Sequence, residues 1–233
     1  GCAKALPFAQ TGWTDAICHS GTQQDLDCRL YNNTNISTSK DLHGGWHDAG
    51  DYNKYVNFTY STLVDLLLAY KETPNVWLDN WRIPESGNSI PDVLDEAKWE
   101  LDWLLRMQQS NGSILCVMGS MVNTGGGSPP SSDVAPRRYG PATTSATYSC
   151  AATFALAAIQ FNAIGQTAYA TTLQTAAVNA YAWATANPNV TFYNAGVIAA
   201  GEQEVSTYED SSRHFAAAVY LYALTNTASY KTY

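Results

Sequence analysis

Charged residues are scarce in this sequence of 233 residues, in which Asp, Glu, Lys and Arg together make up 14%. An average soluble domain carries roughly 25%. Basic residues are the scarcer kind, with 12 Lys and Arg against 20 Asp and Glu, for a formal net charge of −8. Because no run of Lys or Arg occurs, the composition argues against nucleic acid or an anionic membrane as the main partner.

Long apolar runs and a recognisable leader are also missing. The longest apolar stretch, residues 151–159, is far shorter than the roughly 20 residues of a membrane-spanning helix. The chain starts Gly1-Cys2-Ala3-Lys4 without an initiator Met, so we expect a processed chain or part of a longer one. Five cysteines are an odd number, so at least one is unpaired or binds a metal ion.

Aromatic residues, in contrast, are abundant: they make up 12% of the chain, with 7 Trp and 15 Tyr. This content excludes intrinsic disorder, and the length allows one large domain or two small ones. A surface rich in Tyr and Trp and poor in charge suits a neutral polar ligand. Sugars are the first candidates, because aromatic faces stack on the apolar faces of pyranose rings.

Helical periodicity dominates the rest of the pattern. It predicts helices over residues 61–72, 92–109, 144–164, 167–186 and 211–224, with Ser89 as the N-cap of the second. Residues 110–142, rich in Gly and Pro, read as a long loop, and no run predicts a strand. The sequence therefore indicates an all-α fold of helical hairpins packed side by side, with no domain boundary within residues 1–233.

The chemistry is concentrated in residues 43–55, where Asp48 and Asp51 stand three positions apart between glycines and aromatic residues. Gly44 and Gly45 allow unusual backbone dihedrals and close approach of the chain. Two structural explanations stay open, since Asp51 is also a good cap for a helix beginning at Tyr52 and Asp48 is a good residue for an Asx-turn.

The run Gly-Gly-Trp-His-Asp-Ala-Gly-Asp-Tyr-Asn-Lys-Tyr at residues 44–55 resembles the N-terminal active-site motif of glycoside hydrolase family 9, the inverting cellulases. Further stretches that resemble the family are residues 88–98, 101–108 and 143–147. The resemblance covers most of the chain and implies an (α/α)6 barrel. The chain corresponds to roughly the N-terminal half of such a barrel.

The resemblance also implies roles for the two carboxylates. Asp51 resembles the general base that takes a proton from the attacking water, and Asp48 resembles the second aspartate, which helps to hold that water. The candidate substrate-binding residues are Trp46, His47, Tyr52 and Arg138.

The general acid is not among these residues. An inverting glycosidase needs a base and an acid roughly 6.5–9.5 Å apart on opposite sides of the sugar, and two residues of one short loop do not satisfy this. The family's acid is a glutamate in an Asn-Glu context, which this sequence lacks. We therefore expect the acid outside this chain, with Glu202, Glu204 and Glu209 as surface or calcium-site residues, and no turnover by this chain alone.

Two metal sites follow from the resemblance as candidates. One branch of the family holds a structural zinc ion, for which Cys2, Cys18 and His19 are the matching residues. In that branch a histidine follows the second aspartate and binds the zinc ion, but this sequence has Asn53-Lys54 there. His43 or Cys28 is therefore the candidate fourth ligand. The alternative to a zinc site is a disulfide between Cys2 and Cys18. In the family calcium is common near the positions of Glu202, Glu209 and Asp210, but here we interpret these residues as a solvated acidic loop, with a calcium site as the alternative.

We expect a secreted endoglucanase that acts on cellulose or soluble β-glucans. An exo-acting β-glucosidase or glucosaminidase of the same family is a second reading, and a non-catalytic carbohydrate-binding α/α module is a third. A small β-sandwich domain often precedes the barrel in this family, although nothing in this sequence indicates one.

Overall fold

The structure is a computed structural model that describes residues 7–121, 127–194, 197–198 and 204–232. Five α-helices carry most of the described chain: α1 (Val56–Glu72), α2 (Asp92–Met107), α3 (Thr144–Ala163), α4 (Thr167–Ala186) and α5 (Thr207–Thr225). None of the described helices combines the length and apolar character that crossing a membrane requires.

Helix α3 lies at the centre of the helical part and contacts α1, α4 and α5. Apolar and small residues occupy all sides of α3, and nearly every one of its side chains is buried, which is typical of a helix surrounded by others. Alanines at the contacts, among them Ala151, Ala152, Ala180 and Ala217, are fully buried. Their small side chains let α3, α4 and α5 approach one another closely.

A small four-stranded sheet stands beside the helices, although no run in the sequence predicts a strand. Its strands are β1 (Arg29–Leu30), β2 (Lys54–Tyr55), β3 (Val117–Ser120) and β4 (Arg137–Tyr139), in the order β1-β4-β3-β2. Strands β3 and β4 lie inside the segment predicted to be one long loop. The prediction failed because strands of two to four residues are too short to show an alternating pattern, and every residue of β3 is buried.

The sheet connects to the helices at β2, which leads directly into α1. Lys54 of β2 pairs with Met118 of β3 in antiparallel register, and Gly119 of β3 pairs with Arg138 of β4. The strand β2 therefore fixes the end of the segment that carries Asp48 and Asp51 against the sheet.

The predicted helix boundaries agree best where a clear stop signal is present. Helix α4 has its predicted bounds, whereas α2 begins after Pro91 as N-cap rather than Ser89. Helices α1 and α5 begin about one turn earlier than expected. Helix α5 is started by Ser206, whose side chain and that of Glu209 form a capping box.

Candidate active site

The segment Gly44–Lys54, here called the aspartate loop, begins with two glycines in the left-handed region. The φ angles of Gly44 and Gly45 are 90° and 73°, which other residues rarely adopt. A Cβ on Gly45 would lie 2.6 Å from a ring carbon of Trp103 on α2. The aspartate loop therefore needs glycine here both for its turn and for its close contact with α2.

The two candidate catalytic carboxylates lie within one closed turn. The Asp48 N–H donates to the Asn53 carbonyl at 2.8 Å, and the Tyr52 N–H donates to the Ala49 carbonyl at 3.0 Å. Partial desolvation, and after it the charge of Asp51, raise the pKa of Asp48. The charge of Asp51 thus acts on Asp48 within the same turn.

Asp51 does not cap the following helix. Helix α1 begins at Val56, and its N-cap Tyr55 has no side-chain cap bond. Both oxygens of Asp51 instead accept hydrogen bonds from Asn53: Oδ1 from the backbone N–H at 3.1 Å and Oδ2 from the side-chain amide at 2.6 Å. The helix-cap explanation for Asp51 is therefore excluded, and the carboxylate is held within the aspartate loop itself.

Two carboxyl groups of α2 hold Trp46 in the aspartate loop. The Trp46 N–H donates to Glu100 Oε2 at 2.6 Å, and the indole N–H donates to Glu96 Oε1 at 2.6 Å. Glu100 is fully buried, and this burial raises its pKa to about 8. Burial thus favours the neutral form of Glu100, which packs directly behind the aspartate loop.

A buried group of three charges fixes the other end of the aspartate loop. Lys54 Nζ lies 2.6 Å from Asp25 Oδ2 and donates to the Gly44 carbonyl at 2.5 Å. Arg137 Nε lies 2.7 Å from Asp25 Oδ1 in an ion pair, and Arg137 Nη2 donates to the Tyr52 carbonyl at 2.6 Å. Burial disfavours the charged form of Asp25, but the Arg137 and Lys54 charges outweigh it and hold its pKa below the ordinary value.

A pocket of about 130 Å³ opens beside Asp48, the neighbour of Asp51 in the closed turn. Its walls come from the aspartate loop and the start of α1: Trp46, His47, Asp48, Tyr55, Phe58, Thr59 and Thr62. Phe58 is 44% exposed, so the pocket offers aromatic surface next to carboxylate oxygens. That combination suits a sugar, which presents both apolar faces and hydroxyl groups.

The other candidate substrate-binding residues lie away from the walls of this pocket. Tyr52 packs against the ring of His47 with centroids 5.1 Å apart, and its hydroxyl donates to the Gly127 carbonyl. Arg138 is 9% exposed and donates to the Gln23 side chain and to the carbonyl of Arg137. The structure therefore groups Trp46 and His47 with Asp48, and it places Arg138 within the sheet.

A cluster of metal-ligand side chains lies next to the aspartate loop and consists of Cys18, His19 and His47, with ligand atoms within 4.8 Å of one another. The buried Nδ1 of His19 has no hydrogen-bond partner. His43, a candidate fourth ligand, is outside this cluster and pairs with Asp41 at 2.5 Å. Cys2 lies outside the described residues.

The states of Cys18 and His47 decide what this cluster offers a zinc ion. Cys18 is disulfide-bonded, so its sulfur is not the thiolate that zinc binds. Burial first, and then the positive charges of Lys54 and Arg137, lower the pKa of His47 to about 3. The imidazole of His47 is therefore neutral, which is the form in which histidine binds a metal ion. The other candidate ligand, Cys28, is a buried free thiol, as are Cys116 and Cys150.

A second group that could hold a metal ion consists of Asp79, Asp92 and Asp95, which the sequence analysis did not single out. Its donors are carboxylate oxygens, the kind that calcium prefers. These oxygens already accept hydrogen bonds in the structure, including those from Ser86 to Asp92 and from Asn88 to Asp95.

The residues considered for a calcium site lie elsewhere. Glu209 accepts hydrogen bonds from Ser206 in the capping box of α5, and burial and the charge of Glu204 raise the pKa of Asp210. Glu202 lies outside the described residues. Metal-ligand clusters among the described residues do not include Glu209 or Asp210.

Sequence reasoning missed most residues that support the aspartate loop. Asp25, Glu100 and Ser120 lie outside it in sequence and carry no motif of their own. Asn53 and Lys54 belong to the motif, but the sequence analysis noted them only because they replace a histidine that one branch of the family has there. Their contacts depend on how the sheet and α2 pack against the aspartate loop, which local sequence does not specify.

Comparison with known proteins assigns the family. The model of the family described as glycosyl hydrolase family 9 matches residues 3–233. Endoglucanase D of Acetivibrio thermocellus is 38% identical over 170 residues, which are 71% of this chain and 27% of that protein. A cellulose 1,4-beta-cellobiosidase of the same organism is 30% identical over 84% of this chain and 24% of its own length.

The fold agrees with this assignment. The crystal structure of a metagenome-derived glycoside hydrolase family 9 endoglucanase superposes with a TM-score of 0.83 at 33% identity, covering 94% of this chain and 39% of that one. The chain belongs to glycoside hydrolase family 9, and its helices form a portion of an (α/α)6 barrel. It spans about a quarter of the length of the curated relatives described above.

Proposed function

We propose that this chain supplies the base side of the active site of a secreted, inverting endo-β-1,4-glucanase that acts on cellulose or soluble β-glucans. The observation that carries the proposal is the closed turn that places the firmly held Asp51 beside Asp48, next to an aromatic pocket. In this mechanism Asp51 accepts the proton of the attacking water, and Asp48 helps to orient that water.

The general acid belongs to a part of the barrel outside this chain in our proposal. Of the glutamates considered, Glu204 accepts hydrogen bonds from the Ser145 hydroxyl and the Phe192 N–H, and Glu209 caps α5. Both therefore have structural partners already. The acid would then protonate the leaving oxygen from the opposite face of the sugar.

The outer surface of α5 supports the idea that further chain packs on this one. Tyr208, Phe215 and Val219 follow helical spacing on α5 and are 82%, 57% and 43% exposed. Large apolar side chains on one helix face commonly mark a surface that another element covers. The remaining helices of the barrel are the partner we propose, and this chain without them is expected to have no turnover.

The test is reducing-sugar release from a soluble β-1,4-glucan by a polypeptide that contains the complete catalytic domain. Asp51→Asn removes the base, so the rate should fall by about 10²–10⁴-fold. Asp65→Asn, an exposed position on α1, is the matched control and should keep the wild-type rate. Wild-type turnover by Asp51→Asn would exclude the base assignment, and a product that retains the anomeric configuration would exclude inversion.

The relationship to a cellobiosidase makes an exo-acting enzyme the second candidate. Product analysis separates the two activities, because an endoglucanase releases oligosaccharides of many lengths whereas an exo-acting enzyme releases a single short product. Binding of glucan without turnover by the complete domain would instead support a non-catalytic carbohydrate-binding module.

A further inference from the structure

We propose that Asn53 is a positioning residue for the general base, holding the Asp51 carboxylate in the orientation in which it accepts a proton from water. The inference rests on the proposed function, which gives Asp51 the role of base. It adds a residue that acts on the reaction only through Asp51.

The contacts between the two residues restrain both carboxylate oxygens. The Asn53 backbone N–H donates to Oδ1 and the side-chain Nδ2 donates to Oδ2, at 3.1 and 2.6 Å. A carboxylate otherwise rotates in a broad well about its last torsion. Donors to an ionised acceptor form the stronger class of hydrogen bonds, so two of them from one neighbour define the plane of the Asp51 carboxylate.

The orientation of the Asn53 amide is itself determined by β3. Asn53 is 2% exposed, and its Oδ1 accepts the Ser120 backbone N–H at 3.0 Å. With the amide reversed, its NH₂ group would face this N–H donor and its oxygen would face the Asp51 carboxylate. The β3 backbone therefore selects the amide orientation that presents a donor to Asp51.

The surroundings of Asn53 leave no room for a different arrangement. A Cβ on Gly119 would overlap the Asn53 side-chain amide, so glycine is required beside it. The preceding residue, Tyr52, has a φ of 57° and its carbonyl is held by Arg137. The sheet thus positions Asn53, and Asn53 positions the base.

Charged groups close to Asp51 in the structure include Asp48 in the same turn and the buried group around Asp25. Asp48 is the titratable neighbour whose pKa responds to the charge of Asp51. The cations of Lys54 and Arg137 both pair with Asp25. A new negative charge at position 53 would therefore act on Asp51 without a cation paired to it.

The test is the isosteric substitution Asn53→Asp in the complete catalytic domain, compared with wild type in kcat, KM and the pH profile of kcat/KM. The variant keeps an acceptor for Ser120 but places a carboxylate oxygen where Asp51 had a donor. We expect kcat to fall about 10–100-fold with KM within about threefold, because Asn53 does not line the pocket. The acidic limb of the profile should move to higher pH, since a neighbouring negative charge raises the pKa of the base.

Two further variants separate positioning from folding. Asn53→Ala removes the donor without adding a charge, so a smaller loss of kcat and a smaller shift of the acidic limb are expected. Ser120→Ala is the matched control, because Ser120 contributes its backbone N–H and is 3% exposed; it should behave as wild type. Circular dichroism reports whether each variant folds.

The outcomes distinguish this inference from the proposed function. Loss of activity in Asp51→Asn together with the shifted profile in Asn53→Asp supports both. If Asp51→Asn is inactive while both Asn53 variants keep the wild-type profile and kcat, Asn53 has no positioning role. If neither Asn53 variant folds, Asn53 is a structural residue and the inference is overturned. Full activity of Asp51→Asn overturns the proposed function and this inference with it.

Discussion

The aspartate loop and the helical group α3–α5 are each stabilised by a different kind of interaction. Where α3, α4 and α5 meet, the buried contacts are made by alanines such as Ala151, Ala180 and Ala217. The aspartate loop is held by ion pairs and hydrogen bonds to buried groups, among them Lys54 and Glu100.

This difference in stabilising interactions predicts how each region responds to substitution. Apolar packing is non-directional, so its cost depends mainly on volume. A buried charge or amide depends on a particular partner, and loss of that partner leaves an unpaired group in a low-dielectric interior. The site should therefore be more sensitive to single polar substitutions than the helices are to changes in packing.

The largest expected effect on stability is that of Lys54→Met. The substitution removes one partner of a buried ion pair and frees the Gly44 carbonyl, which should cost about 3–5 kcal/mol of unfolding free energy. Lys98→Met is the matched control, because the Lys98–Asp102 pair is about one-third exposed and contributes about 0.3–0.5 kcal/mol. Denaturant unfolding measures both, and equal losses would contradict the contrast.

The pH dependence of the stability of the Glu100→Gln variant is a second test of the comparison between the polar site and the helices. A carboxyl whose pKa rises to about 8 on folding binds more protons in the folded state than in the unfolded one, so it contributes stability that is lost as pH rises from about 4.3 to 8. The stability of Glu100→Gln relative to wild type should therefore increase by on the order of 3 kcal/mol between pH 5 and pH 8.

The control for this experiment is Glu96→Gln, since Glu96 is an exposed residue of the same helix that also bonds to Trp46. Its stability relative to wild type should stay nearly constant over the same pH range. A flat difference for Glu100→Gln as well would show that Glu100 is ionised in the folded protein.

The smallest of these effects is expected in the helical group. Ala180→Leu adds volume at a fully buried contact between helices, which should cost about 1–3 kcal/mol through overpacking. Ala182→Leu, at an exposed position on the same helix, should change stability by no more than about 0.5 kcal/mol. If Ala180→Leu lowered the free energy of unfolding by more than Lys54→Met does, the comparison would be contradicted.

The same contrast explains which parts of the fold the sequence predicts. Helix α4 was predicted with its bounds because its pattern persists over 20 residues and Asn187-Pro188 ends it. The start of α5 was missed because its first turn is polar, although Ser206 and Glu209 carry a capping-box signal. The sheet was missed because pairing between strands as short as β1 and β2 is a tertiary property.

The residues of the candidate site likewise fall into two groups, those that the sequence predicts and those that it does not. Asp48 and Asp51 were found because a motif of adjacent residues carries them. The partners that hold them come from positions such as Asp25, Glu100 and Ser120, which no local pattern connects to the motif. The cluster Cys18–His19–His47 was predicted in part, with His43 in the place that His47 occupies.

The hydrogen bond from Lys54 to the Gly44 carbonyl turns the aspartate loop into a non-covalent ring. In such a ring the backbone conformation is fixed by the closing contact rather than by the side chains that project from it. The carboxylates of Asp48 and Asp51 therefore project from a segment whose two ends are joined to each other through Lys54.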